Sequence, residues 1–463
     1  MHRPLCPVET LYVGQRSRAV LSCALRGQVD AGALSAAFDA VTQHHPTLRA
    51  RIVPDGQGFA LRPLGEDERP RLIIRTGGEE VYAAELNTPL PVGGPLSRAV
   101  LVSAPEGDRH LFVLVVDHTI TDGHSSIALH NAVWDHYRRL VEGGGDEERT
   151  AVAGPAAHGP EEEDALPHWP RPVSRELPDA DPADTAAYLE RRVEGIRRHP
   201  VELVPYDVPR GPAADAGRDP GSAGTDASPG AEQADGGHIE VCRLGLDEER
   251  TGRLRRTARR AGVSVHALVA AAVLTAARRR LEGEGPRTLG CLSPVDLRSR
   301  LSPPLPALLM VPAVTTQLQT LDVAEDSDPM VLARTVHARL RDFLDRGDQY
   351  REMRITPEIP GNPALQLATV IVTNMGVVPG PRLPAGLRAT DVRLVPAREH
   401  YFPQAGRSPV MACVVSFEGR LAIEFPHFTA CFSPSFMRGF RDDVLAALLA
   451  LADVTEPLPT PAR

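Results

Sequence analysis

The stretch that most constrains this chain is "HLFVLVVDHTITDGHSS", residues 110–126. Six apolar residues stand together, and then the chain turns abruptly polar. A short unbroken apolar run bounded by turn residues fits a strand buried on both faces. The segment that follows, "SSIALHNAVWDHYRRLVEG" (125–143), repeats its apolar residues at helical spacing. The expected unit is strand, turn and helix, with His118 at the junction. A buried strand holds the residue at its end rigidly. Imidazole is the side chain best suited to accept a proton near neutral pH, so His118 is the candidate general base. Asp122 comes four residues on, across a Thr-Ile-Thr turn. Gly123 is expected to let the chain turn tightly into the helix. The helix start offers unpaired N–H groups that can face developing negative charge.

The rest of the chain sets the frame for that unit. Its 463 residues exceed one ordinary core and predict two or three units. A hydrophobic share of 42% and a charged share of 24% are those of a soluble globular protein. A net charge of −9 argues against nucleic acid as a partner. The apolar stretch "VHALVAAAVLTAA" (265–277) falls short of the ~20 residues that span a bilayer, so no membrane insertion is expected. The N-terminus has no apolar run of signal-peptide length, and the six cysteines form no CxxC pair. Together these predict a cytoplasmic protein with reduced thiols and no metal site.

Two αβ patterns of similar size are visible. The first runs from the strand "AVLSCALRG" and the helix "DAGALSAAFDAVTQHH" to the motif helix. The second runs from the strand "HIEVCRLGL" to a closing helix capped by Ser433, with a hairpin turning at Glu418-Gly419 on the way. Between them lie Gly/Ala/Pro/Asp-rich segments that cannot bury enough apolar surface to offset their ordering entropy. The expected division is an N-terminal lobe over 1–180 carrying the motif, a crossover over 181–237 with a disordered loop at 210–237, and a C-terminal lobe over 238–463.

Chance alone supplies about one His–Gly pair at the His118–Gly123 spacing, given 16 His and 39 Gly. Requiring Asp before the Gly lowers that below ~0.2. "HTITDG" resembles the HxxxDG motif of the CoA-dependent acyltransferase superfamily. That superfamily includes chloramphenicol acetyltransferase, plant BAHD enzymes and peptide-synthetase condensation domains. The chain is most similar to its polyketide-associated, phthiocerol-esterifying branch. The marks that carry the resemblance are "AFDAVTQHHPTLRARI", "DHTITDGHSS", "GVSVHALVAAAV", "LSPVDLRSRL" and "VTNMG", spread over residues 37–376.

The resemblance implies an α/β fold with mixed sheets, in two chloramphenicol-acetyltransferase-like lobes with the active-site tunnel between them. It implies His118 as general base on an acceptor hydroxyl or amine. The donor is a thioester on CoA or on the phosphopantetheine of an acyl carrier protein, and no cofactor or metal is bound. It makes Asp122 structural, paired with Arg298 of "SPVDLR", with Gly123 beside them. Many relatives carry two His before xxxDG, and here the first is Asp117, which can raise the basicity of His118 or change the turn.

His124, Ser125 and Asn374 are candidate tunnel residues, with helix capping and turn formation as the alternatives for His124 and Asn374. Arg253, Arg256 and Arg260 share one face of an Arg-rich predicted helix. That face is either a solvated surface or a docking patch for an acidic carrier protein. The expected reaction is acyl transfer to a small-molecule alcohol, forming an ester in polyketide or lipid biosynthesis. A free-standing condensation enzyme forming an amide, and a non-catalytic scaffold of the same fold, are the alternatives.

Overall fold

The computed structural model describes residues 2–143, 169–208, 237–399 and 407–453. All but the last residue of the loop expected at 210–237 lie outside the described residues. Two large sheets organise the rest. The first orders its five strands Arg388–Arg398, Ser17–Arg26, Arg109–Asp117, Ser97–Ser103 and Leu72–Thr76. Its neighbours are antiparallel except the last pair, which is parallel.

The motif strand Arg109–Asp117 is covered on both faces, which explains its unbroken apolar run. Phe112, Leu114 and Val116 pack with Phe38, Val41 and Trp134 of the helices Ala31–His44 and Gly123–Val141. Val113 and Val115 point the other way, to Val20, Val395, Tyr82 and Cys413. Successive strand residues face opposite sides, so each face needs its own apolar set.

The second sheet orders six strands: Val314–Val323, Arg287–Asp296, Val370–Val377, Val410–Phe417, Arg420–Phe428 and Ile239–Leu246. Helix Val265–Arg278 lies in its core, with every residue from Ala267 to Arg278 buried. Its small Ala side chains let it pack closely. The hairpin turns at Glu418 (φ 45°) and Gly419 (φ 79°), the two positive φ angles that a two-residue turn needs. Caps read from the sequence are in place: Asp30 accepts from the N–H of Gly32 and Ala33, Asp247 from Arg250, Ser264 from Ala267 and Ser433 from Phe436.

Strand Arg388–Arg398, from the second half of the chain, completes the edge of the first sheet by pairing with Ser17–Arg26. Nothing local in the sequence signals this exchange, because the two strands lie far apart along the chain. Val415 and Phe417 of the second sheet also join the core under the motif helix. The seam between the halves is therefore packed with apolar side chains. Among the described residues, no single helix is long and apolar enough to cross a membrane.

Candidate active site

His118 is the first residue past the motif strand, and its backbone N–H donates to the Ser17 carbonyl at 2.8 Å. That bond extends the ladder by one step and fixes where the side chain starts. The imidazole lies against Tyr12 of helix Pro7–Gln15, with ring centroids 4.1 Å apart and planes 13° from parallel. Burial, then the charge of Arg398, pushes the His118 pKa down to about 4. The Asp122 carboxylate and the backbone at His118 and Thr121 pull the other way. At neutral pH the ring is uncharged and has a lone pair to offer.

Asp122 turns its carboxylate to Arg298, across the seam. Oδ2 accepts from Arg298 Nη2 at 2.9 Å and Nε at 3.1 Å, and from the Ala313 N–H at 2.9 Å. Oδ1 caps the motif helix, accepting from the Ser125 N–H at 2.8 Å and its hydroxyl at 3.0 Å. Burial raises this carboxyl's pKa, but Arg298 and the N–H groups of Ser125 and Ala313 outweigh it and leave the pKa below the ordinary carboxylate value. Arg298 also donates to the carbonyls of Pro306, Leu309 and Val311 at 2.7–2.9 Å. One guanidinium thus ties the motif turn to the backbone of the 306–311 segment.

Gly123 is required for a reason other than the one expected. It does not adopt a positive φ. A Cβ there would sit 2.5 Å from Met375 Sδ and 3.3 Å from Leu394 Cδ2. The glycine makes room for "VTNMG" and the crossing strand at the seam. Asp117 shapes the turn, since its carboxylate accepts the Thr119 N–H at 2.9 Å. Burial pushes that carboxyl up to about 6, against the pull of Thr119, Arg16 and Arg18.

Of the tunnel candidates, His124 is exposed in the first turn of the motif helix. Ser125 is fully buried, its hydroxyl engaged with Asp122 and, at 2.9 Å, with Thr121 Oγ1. Asn374 Oδ1 accepts the Gly376 N–H at 2.8 Å, where the strand bulges. Arg253, Arg256 and Arg260 lie exposed on helix Glu248–Ala261, opposite buried Thr251, Leu254, Thr257 and Ala258. Arg253 is shared by Glu249 at 2.7 Å and Asp453 at 3.4 Å. A cavity of about 660 Å³ lies between helix Pro182–Arg198 and strand Val314–Val323, and no motif residue lines it.

Tyr12 and Arg398, the groups that act most directly on His118, were missed in the sequence. A helix at Pro7 has a local signal: Pro at the first position and Glu9, whose carboxylate accepts the Cys6 N–H at 2.8 Å. Nothing local says that Tyr12 meets a histidine more than 100 residues away.

The chain is similar to several known proteins. Residues 235–426 match the family described as phthiocerol/phthiodiolone dimycocerosyl transferase C-terminus. The phthiocerol/phthiodiolone dimycocerosyl transferase of Mycobacterium leprae is 24% identical over 438 residues, 91% of each chain. Polyketide synthase associated protein 5 from Mycobacterium tuberculosis superposes with a TM-score of 0.68 at 20% identity, over 97% of this chain and 98% of that one. Trichothecene 15-O-acetyltransferase from Fusarium sporotrichioides gives a TM-score of 0.68 at 11% identity, covering 97% and 95%.

The chain is an acyltransferase, built as two chloramphenicol-acetyltransferase-like lobes. Within that class it is similar to the phthiocerol/phthiodiolone dimycocerosyl transferases.

Proposed function

We propose that this protein moves an acyl group from a thioester, on CoA or on the phosphopantetheine of an acyl carrier protein, to the hydroxyl of a small-molecule alcohol. The product is an ester in polyketide or lipid biosynthesis. Similarity to a dimycocerosyl transferase and to a polyketide synthase associated protein supports that setting.

One observation carries the mechanism: His118 is a neutral, strand-anchored imidazole at the seam, while the Asp122 carboxylate of its motif turn faces Arg298. His118 takes the proton of the acceptor hydroxyl as its oxygen adds to the thioester carbonyl. The tetrahedral intermediate collapses, the C–S bond breaks, and the imidazolium returns its proton to the thiolate. No acyl-enzyme forms. Asp122, Gly123 and Arg298 hold the turn and the seam. The exposed row Arg253, Arg256 and Arg260 receives the acidic carrier protein.

The test is His118→Ala. It should leave a folded protein with acyl transfer reduced about 10²- to 10⁴-fold. Transfer within threefold of the unmodified protein removes His118 from the mechanism.

A further inference from the structure

The seam holds a second set of polar groups beside His118. Arg398 and Ser17 are directly paired across the antiparallel strands Arg388–Arg398 and Ser17–Arg26. His118 follows in the same row, since the ladder pairs Arg18 with Asp117 and the His118 N–H bonds the Ser17 carbonyl at 2.8 Å. Directly opposed residues of antiparallel strands project to the same face. Arg398, Ser17 and His118 therefore form one row on one face of three adjacent strands, with Tyr12 stacked on the last.

The first two members of that row are unspent. Ser17 is 0% exposed, and its hydroxyl meets no hydrogen-bond partner among the described residues. Arg398 Nε is buried and likewise without one. The neighbouring carboxylate, Glu399, is taken by Arg16 at 3.0 Å and Arg18 at 3.3 Å. A buried donor without an acceptor is costly, and a buried cation more so. Two such donors side by side, next to a base, can take an acceptor that arrives with the reaction. A guanidinium can only donate, and a serine hydroxyl donates readily.

We propose that Arg398 and Ser17 are catalytic residues that receive the oxyanion formed when the His118-activated acceptor adds to the thioester carbonyl. The inference rests on the acyl-transfer reading above. When the acceptor oxygen bonds to the carbonyl carbon, the C=O electron pair moves onto oxygen and the acceptor proton moves to His118. The new negative charge accepts hydrogen bonds from Arg398 and Ser17. It gives its electron pair back as the C–S bond breaks and the thiolate takes the proton from His118. Fixed donors in a buried site stabilise such charge without having to reorganise. Arg398 is within electrostatic reach of the site: its charge is the second influence, after burial, on both His118 and Tyr12.

The test uses the full chain, a saturated acyl-CoA, a primary alcohol, and the variants Arg398→Gln, Arg398→Lys and Ser17→Ala. Arg398→Gln and Ser17→Ala should each lower kcat about 10²- to 10³-fold with KM within threefold. Arg398→Lys should recover at least tenfold of the loss, because the charge returns. Independently of turnover, NMR titration of His118 should show its pKa rising in Arg398→Gln. A kcat within threefold of the unmodified protein in both removal variants overturns the proposal. So does an unmoved His118 titration, or a covalent acyl group on Ser17 found by mass spectrometry. If His118→Ala keeps full transfer, the general-base reading has failed instead; if His118→Ala is dead while Arg398→Gln is active, only the oxyanion assignment has failed.

Discussion

Removing the Asp122 carboxylate should cost about 4 kcal/mol, most of it at the seam. The carboxylate accepts five bonds of 3.1 Å or shorter: two from Ser125, two from Arg298 and one from the Ala313 N–H. Asp122→Ala breaks a buried ion pair, which costs about 3–5 kcal/mol when one charge is stranded. Arg298 keeps three carbonyl partners, so this part belongs near the lower end, about 3 kcal/mol. Loss of the helix cap adds about 1 kcal/mol. Urea unfolding followed by fluorescence suits the test, because buried Trp134 sits on the helix that Asp122 caps. With m near 2–3 kcal/mol/M, the midpoint should fall by about 1.3–2 M. Asp122→Asn, which keeps the cap, should lose about 3 kcal/mol. The pH dependence has a definite sign. The folded-state pKa of Asp122 lies below its ordinary value, so its contribution is complete above that value and is lost as pH falls through the folded pKa. A midpoint drop under about 0.3 M for Asp122→Ala, below about 1 kcal/mol, would refute the claim that this carboxylate joins the halves.

Two further outcomes are expected. Because burial and Arg398 hold His118 near pKa 4 against the pull of Asp122, with uncharged Tyr12 on its face, kcat/KM should rise with pH to a half-maximum near 4 and stay level to neutrality; a half-maximum at 6.5 or above contradicts the neutral-base argument. Reversing Arg253, Arg256 and Arg260 to Glu should raise KM for a carrier-bound donor at low salt and leave an N-acetylcysteamine thioester unaffected, whereas equal damage to both donors assigns the helix a folding role.

The motif strand was legible because burial on both faces leaves no polar alternation, only a run that ends where the chain meets His118. The pairing of Asp122 with Arg298 followed from the resemblance alone, since nothing local links residues on different sheets. Strand Arg388–Arg398 was illegible for two physical reasons. "RATDVRLVPAR" mixes Arg, Asp and Pro with residues that serve both faces, and its partner strand Ser17–Arg26 lies near the other end of the chain. Gly123 drew attention for backbone freedom, whereas its need is space for Met375, a contact between residues far apart in sequence. Tyr12 and Arg398 were missed likewise. Local pattern reports which side of an element is apolar, not which distant element will meet it.

The crossing strand also bears on how the protein is made. The N-terminal half of a growing chain can begin to fold during synthesis. Here its sheet lacks the strand beside Ser17–Arg26 until the ribosome has moved past residue 398. Until then, Ser17–Arg26 is an open sheet edge, a template for pairing with the wrong chain. The strand that closes this edge also delivers Arg398 to the row beside His118. Protection of the nascent sheet and assembly of the reactive centre are then one late event, and a truncated product has neither.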